Sequence, residues 1–448
     1  MGNAVQKIGD VMRLNRRQLL EQVGLAGAAL ATGGFAASAE SEPSGWRAGT
    51  AMEEITPPLD VGILMSAGRR LWAPFLGVRM PLYARALVID NGHARVGLVA
   101  LDLLGLAGEA VGGWEAFKQR LVVHAAERLS HDSIVLACSH THSGPESLAL
   151  TDLYKTKAFH EWVDVLCDHC SAALGRASRA LVPVRLVGGT APAQGWGVNR
   201  RIKTGRGIVY PGGVRPDDKV IGPEGPTDEQ VRVLAMLDAA GKPAAIIVNA
   251  TAHAICEMCI KQVSPDYPGE MSKLLEASHP GSRALFLQGA AGNISSSEVS
   301  TGAEGSRRQG RRLADAVEQA LLQAQPIGGK SLRLQWAAVD LPARSPTGQP
   351  LPQPLKAPVG ALRLGNAALV FLPGEPFLEI AMGIRQASPF GLTMVAGYCE
   401  DYIGYIPTDR AFRNGGYETG PGRWSRVGAG SERLMRQAAI TLLQGINK

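Results

Sequence analysis

The chain has 448 residues, 45% of them hydrophobic and 19% charged, so it carries enough apolar surface for a large folded core and is neither a disordered nor a fibrous sequence. Its formal net charge is +6, and part of that comes from Lys7, Arg13, Arg16 and Arg17 near the N-terminus, set against Asp10 and Glu21. The remaining surplus is small, and no Lys/Arg run is interleaved with aromatics, which leaves no case for nucleic-acid binding.

The first forty residues read as an address. A basic stretch leads to Arg16-Arg17-Gln18-Leu19-Leu20, a weakly apolar run follows from Val23 to Ala31, and Ala37-Ser38-Ala39 precedes Glu40. That pattern is a twin-arginine export signal over residues 1–39, which places a mature chain of residues 40–448 in the periplasm or outside the cell. The alternative is a short amphipathic helix with a chance arginine pair. No later segment offers eighteen uninterrupted apolar residues, so no membrane-spanning helix is expected beyond the signal.

Strand-like and helical patterns then alternate. Strands are predicted at Ala86–Asp90, Val96–Leu101 and Ser133–Cys138, with helices over Gly113–Leu129 and from about His160 to Ala177. Cys167 and Cys170 fall within the second helix, so this Cys-x-x-Cys reads as two small core residues; with Cys256 and Cys259 it could otherwise be taken for a four-thiolate zinc site. Strands continue at Val184–Val187, Val231–Leu237, Ala244–Val248 and Ala284–Leu287, and Lys203–Asp228, dense in Gly, Pro and charge, reads as a long surface loop. Helical spacing returns at Gly269–Ala277 and Gly305–Ala324, followed by strands at Leu332–Val339, Gly360–Phe371 and Val395–Tyr398, with a Pro-rich break over Ala343–Pro358. This alternation predicts an α/β fold of layered mixed sheets with flanking helices, in one large domain over 40–448, and no repeat of solenoid period is present.

Polar clusters stand where the predicted strands end, which is where sites are built in α/β sheets. Ser133–Cys138 runs into Ser139-His140-Thr141-His142-Ser143-Gly144-Pro145, and period-two geometry puts both imidazoles on one face, suited to a metal or equally to capping a strand. Ala244–Val248 leads to Asn249 and His253, and Ala284–Leu287 leads to the Gly-rich turn Gln288-Gly289-Ala290-Ala291-Gly292-Asn293-Ile294-Ser295. Leu369–Leu372 ends in Pro373-Gly374-Glu375, and Val395–Tyr398 precedes Tyr402, Tyr405 and Tyr417. Five such clusters point to one shared site.

In this order and spacing the motifs resemble the neutral/alkaline ceramidases, over roughly Arg47 to Tyr417, and Asp102 and Pro81–Ala86 look like that family's N-terminal part. The resemblance implies a zinc ion bound by His140, His253, Glu375 and Tyr405, with His142 and Tyr417 contacting the reacting carbonyl or its leaving amine and Arg200 stabilising the negative charge that develops. Ser295 matches the family's catalytic serine, either attacking the carbonyl or holding substrate beside a zinc-activated water. The implied reaction is hydrolysis of an N-acyl amide, ceramide to sphingosine and fatty acid. The alternatives are another N-acyl lipid, a small amide or an ester, or a binding protein that keeps the fold without activity. The implied partner is a lipid or small-molecule amide, with peripheral membrane contact compatible with it and no protein partner inferred. The chain departs from the family at Ala254 and Ser296, where proline is usual, and at Asn293, where lipid-active members often carry aspartate. It is read as the catalytic domain alone, without the C-terminal β-sandwich of well-known members.

Overall fold

The structure is a computed structural model that describes residues 45–61, 63–66, 70–72, 75–123, 128–258 and 260–448. The export signal read at 1–39 and Cys259 lie outside the described residues. Three sheets form the body. The first runs Ile134–Cys138, Arg95–Leu101, Tyr83–Asp90, Arg47–Glu54, Val182–Pro183 across its width. The second runs Arg283–Gln288, Pro243–Ala250, Gln230–Leu237, Arg185–Pro192, Gln325–Pro326, and the third Leu332–Arg344, Pro350–Leu364, Ala367–Phe371, Leu392–Ala396. The fold is therefore the layered mixed α/β arrangement that the sequence pattern predicts.

Strand alternation explains how the layers stack. Leu87 and Ile89 of the first sheet, Leu234, Met236 and Ile247 of the second, and Leu369 and Phe371 of the third share one buried core, so all three sheets turn a face inward. The opposite parity faces helices. Ala86 and Val88 meet Phe159, Trp162 and Cys170 of the helix Lys157–Arg179; Val233, Ile246 and Val248 meet the helices Asp266–Ser278 and Gly302–Leu322. Ala368 and Val370 meet Leu378–Gln386 and Ser431–Asn447. Cys167 and Cys170 are core residues with thiols pushed up by burial, Cys167 to about 11, which keeps them protonated.

Each sheet contains one parallel pair: Arg95–Leu101 with Ile134–Cys138, Pro243–Ala250 with Arg283–Gln288, and Ala367–Phe371 with Leu392–Ala396. Parallel neighbours end on the same side, and the chain leaving these strands carries every residue of the predicted site except Arg200.

Several boundaries differ from expectation. The helix predicted to Leu129 ends at Leu121, where its buried face runs out and Val123 turns to solvent at 69% exposure. The Lys203–Asp228 loop holds a three-stranded sheet of Gly207–Val209, Ile202–Thr204 and Val220–Pro223, closed by Asp218 on Arg206 and on the backbone N–H of Arg215. The Pro-rich break forms much of the long strand Pro350–Leu364. Pro350, Pro352, Pro354 and Pro358 are all an even number of positions apart, so their missing N–H groups share one edge; here the strand pairs only with Leu332–Arg344, and the proline edge is the unpaired one. The single strand expected over Gly360–Phe371 is a hairpin that turns at Gly365-Asn366, with Gly365 in the left-handed region.

Candidate metal centre

His140 follows the strand Ile134–Cys138, but its orientation is not that of strand alternation. Its φ of 66° is left-handed, so a kink held by its N–H on Leu103 O, and not a shared strand face, turns its ring towards His142. The two rings meet edge to face, 4.8 Å between centres. Next to them, isolated bridges pair Thr141 with Ala254 and His253 with Ser295, which sets the three histidine and serine loops side by side. His140, His142 and His253 each offer a ring nitrogen, and these atoms all lie within 4.8 Å of one another.

Hydrogen bonds fix which nitrogens face inward. His140 Nδ1 donates to Leu104 O at 2.7 Å and His253 Nδ1 to Ala291 O at 2.8 Å, since a carbonyl can only accept. The Nε2 atoms therefore turn to the centre, 3.3 Å (His140) and 3.2 Å (His253) from Glu375 Oε2. Glu375, 2% exposed, arrives from the third sheet through Gly374, whose φ of 62° and lack of Cβ allow it to pass the Gly404 carbonyl. Gly292 is similarly required: a Cβ there would stand 2.4 Å from the Glu375 carbonyl oxygen.

The charges of the cluster follow from these contacts. The His253 imidazole is pushed down to about 3, by burial first and then by Arg200 and His140, and His142 is pushed well below its usual range by burial and its neighbouring imidazoles. Burial opposes ionisation of Glu375, yet the facing imidazoles outweigh it and hold the carboxyl well below its usual range. Burial thus favours the uncharged imidazole at His253 and at His142, while Glu375 is held as a carboxylate, and His140 Nε2, His253 Nε2 and Glu375 Oε2 all face one point. The group needs one positive charge, from a proton shared within the cluster or from a divalent cation that engages all three atoms. His142 Nδ1 is buried and has no partner among the described residues, so an acceptor or donor position beside the cluster is left for a bound molecule.

Arg200 closes the site from one side. Its Nη1 lies 3.0 Å from His253 Nε2, its Nη2 donates to Gly292 O at 2.7 Å and its Nε to Glu418 Oε1 at 2.9 Å. Its guanidinium lies 5.3 Å from the centre of the Tyr405 ring, and the facing Tyr405 and Glu418 outweigh burial to keep it charged. Tyr417 packs 5.9 Å from Tyr405 and stacks on Trp424. Ser295 is 4% exposed, opposite Val198 in a short ladder, and among the described residues no histidine hydrogen-bonds its Oγ. The eight residues predicted from sequence thus meet in one region.

Other residues of the region carry roles that the sequence reading did not assign, although Tyr402 and Gln288 stand within its clusters. Gln288 donates to Ser139 O and Ala252 O and accepts from the N–H groups of Ala252 and Gly289, tying the His140 loop to the His253 loop. Arg201, fully buried, binds Glu418, Glu224 and Gly415 O and locks the loop that carries Tyr417. Tyr402 donates to Glu375 Oε1. A polar residue at the end of an apolar strand was the available signal for Gln288. Asp102 and Asn293 are structural: Asp102 pairs with Arg85, and Asn293 accepts from the N–H of Leu378 at the start of a helix while donating to Glu379. An aspartate at 293 would face the Glu379 carboxylate.

No family model matches the chain. The neutral ceramidase of Pseudomonas aeruginosa is 28% identical to it over 229 residues, a stretch that covers 49% of this chain and 32% of that protein, about a third of the relative's length. A crystal structure of neutral ceramidase from Pseudomonas aeruginosa superposes with a TM-score of 0.70 at 21% identity, covering 89% of this chain and 75% of that one. A second solved structure, a ceramidase complexed with C2, gives 0.72 at 20% identity with the same coverage. The resemblance read from the motifs therefore holds: the chain is related in sequence to neutral ceramidase and has its fold.

Proposed function

We propose that the chain is a zinc-dependent hydrolase of N-acyl amides, with ceramide as the substrate. The observation that carries this reading is the convergence of His140 Nε2, His253 Nε2 and Glu375 Oε2 on one point beside a charged Arg200. Two imidazoles and a carboxylate are usual zinc donors, and Tyr405, which the resemblance adds as the fourth, pairs with Glu375 along the backbone and lies under Arg200. Zinc held there supplies concentrated positive charge, which polarises a carbonyl and lowers the proton affinity of water. The backbone carbonyls on both Nδ1 atoms fix the imidazoles in the tautomer whose Nε2 carries the lone pair, and a zinc ion would take the place of Arg200 Nη1 as the partner of His253 Nε2.

The remaining groups suit amide cleavage. Arg200 stays charged and stabilises negative charge developing on the carbonyl oxygen. His142, neutral and with an unpartnered Nδ1, accepts a proton as attack proceeds and returns it to the leaving nitrogen. Tyr417 and Trp424, stacked 5.1 Å apart, give the acyl chain an aromatic surface next to these groups. Ser295 positions the substrate carbonyl. The relatives' names support ceramide as the particular amide.

The test is a hydrolysis screen over N-acylsphingosines, N-acyl amino acids and simple esters, with metal analysis of the same preparation. Fatty acid release from N-acylsphingosine that stops with a chelator and returns with zinc is the expected result. A preparation without bound zinc, or turnover indifferent to the chelator, overturns the reading.

A further inference from the structure

We propose that Tyr402 is a positioning residue whose phenol O–H fixes which oxygen of Glu375 faces the histidines, and that it thereby sets the affinity of the site for zinc. The inference rests on the metal reading above and concerns a residue outside the ligand set. Tyr402 is 2% exposed, and its hydroxyl donates to Glu375 Oε1 at 2.8 Å. The other oxygen, Oε2, is the one that stands 3.3 and 3.2 Å from the two imidazole nitrogens. A carboxylate free to turn about its side chain would present either oxygen, or both. With Oε1 engaged by a neutral donor, Oε2 is presented alone and already aimed, so less ordering remains to be done on binding.

The donor itself has little freedom. The Tyr402 N–H donates to Asp401 Oδ1 at 2.8 Å, the Gly108 N–H donates to the same oxygen, and Arg426 donates to the Tyr402 carbonyl. Three residues on, Tyr405 pairs with Glu375 in a two-residue parallel ladder, and Glu375 N–H donates to Gly404 O at 2.9 Å. Tyr402 and Glu375 are thus carried by directly paired backbone. Tyr398 is a weaker candidate for the same task, because its hydroxyl lies 3.4 Å from Oε2, beyond good hydrogen-bond length.

The test titrates zinc into metal-free full-length protein against a chromophoric chelator. Losing an outer partner of a metal ligand costs about 10- to 100-fold in affinity, and Tyr402→Phe is expected to lose at least about 10-fold, with Tyr398→Phe losing less. The thermal midpoint of the metal-free protein should stay near that of the parent, which separates positioning from a merely structural role. Replacing Tyr402 by p-aminophenylalanine keeps a neutral donor of the same reach and should hold affinity within about 3-fold of the parent. Should Tyr402→Phe not fold, p-fluorophenylalanine fills the phenol's volume without a donor and takes its place. A donorless variant within about 2-fold of the parent overturns the inference. Equal loss with p-aminophenylalanine and with Phe also overturns it, since the oxygen itself would then be a ligand. A parent protein that binds no zinc overturns the metal reading along with it.

Discussion

Replacing Gln288 by leucine tests whether one buried amide holds the candidate centre together. The side chain makes five bonds: Nε2 to Ser139 O at 3.1 Å, to Ala252 O at 2.7 Å and, at the long distance of 3.4 Å, to the Tyr267 hydroxyl, and Oε1 from Ala252 N and Gly289 N, both at 3.2 Å. Three of these partners have a second bond. The Tyr267 hydroxyl donates to Ala252 O, which serves both, and Gly289 N also donates to Ala250 O. Leucine therefore strands two groups, the Ser139 carbonyl and the Ala252 N–H, each adjacent to a proposed ligand. At about 1–3 kcal/mol for each stranded buried group, the expected destabilisation is about 2–6 kcal/mol. Urea unfolding of the metal-free protein measures it, and zinc affinity should fall in the same variant because the two histidine loops lose their tie. Stability within about 1 kcal/mol of the parent, with unchanged zinc binding, would refute the reasoning.

Other expectations follow from the same geometry. His140→Ala or His253→Ala should abolish stoichiometric zinc and Glu375→Gln should weaken it; metal analysis showing about one zinc per chain in the histidine variants would remove these residues from the ligand set. Ser295→Ala should retain zinc and lower turnover by about 10- to 1000-fold, the worth of a positioning hydrogen bond, whereas an acyl adduct on Ser295 trapped during turnover would assign attack to its Oγ. In the metal-free protein His253, at about 3 when folded and near 6.5 when unfolded, takes up its proton only on unfolding, so acidification between those values removes about 1.4 kcal/mol per pH unit, and His142 acts in the same direction. Asp266, raised to about 7 by burial and Glu257, opposes this because there the folded protein binds the proton first; Asp266→Asn should steepen the acid loss, and an unchanged slope in urea midpoints would contradict the assignment.

The proposed ligand positions were legible in the sequence because each is a polar residue just beyond an apolar run where a strand ends. His140, His253 and Glu375 needed no knowledge of pairing to be noticed. Their supports did need it: Gln288 acts on residues 149 and 36 positions away, and Tyr402 on one 27 away, separations to which local periodicity is blind. The strand through Pro350–Leu364 was hidden because proline reads as a breaker unless the edge it faces is known to be unpaired. Gly365-Asn366 carried a hairpin signal in plain view, overridden by the apolar residues on both sides. The His140 kink was not visible at all, because a left-handed histidine carries no compositional mark.

That kink belongs to a group of strained residues that joins the sheets at the site. His140, Tyr398 and Glu400 have φ of 66°, 56° and 57°, each costing of order 1–2 kcal/mol for a residue with a Cβ. The cost is met by bonds between elements. Cys138 N–H donates to Tyr398 O, Tyr398 N–H to Gly374 O and Glu400 N–H to Leu136 O, while the Glu400 carboxylate accepts from Leu136 N–H and pairs with Lys118. These contacts run along the outer strand of the first sheet and draw the end of the third against it, which brings Glu375 to His140. Gln288 does the same between the first and second sheets. Each of the three sheets thus delivers at least one proposed ligand to the point where their ends meet, and none of His140, His253 and Glu375 is placed by local structure alone. An affinity for zinc measured here is therefore a measure of how well the three sheets are held together, which is why substitutions at Gln288 and Tyr402, neither of which would touch the metal, are expected to report on it.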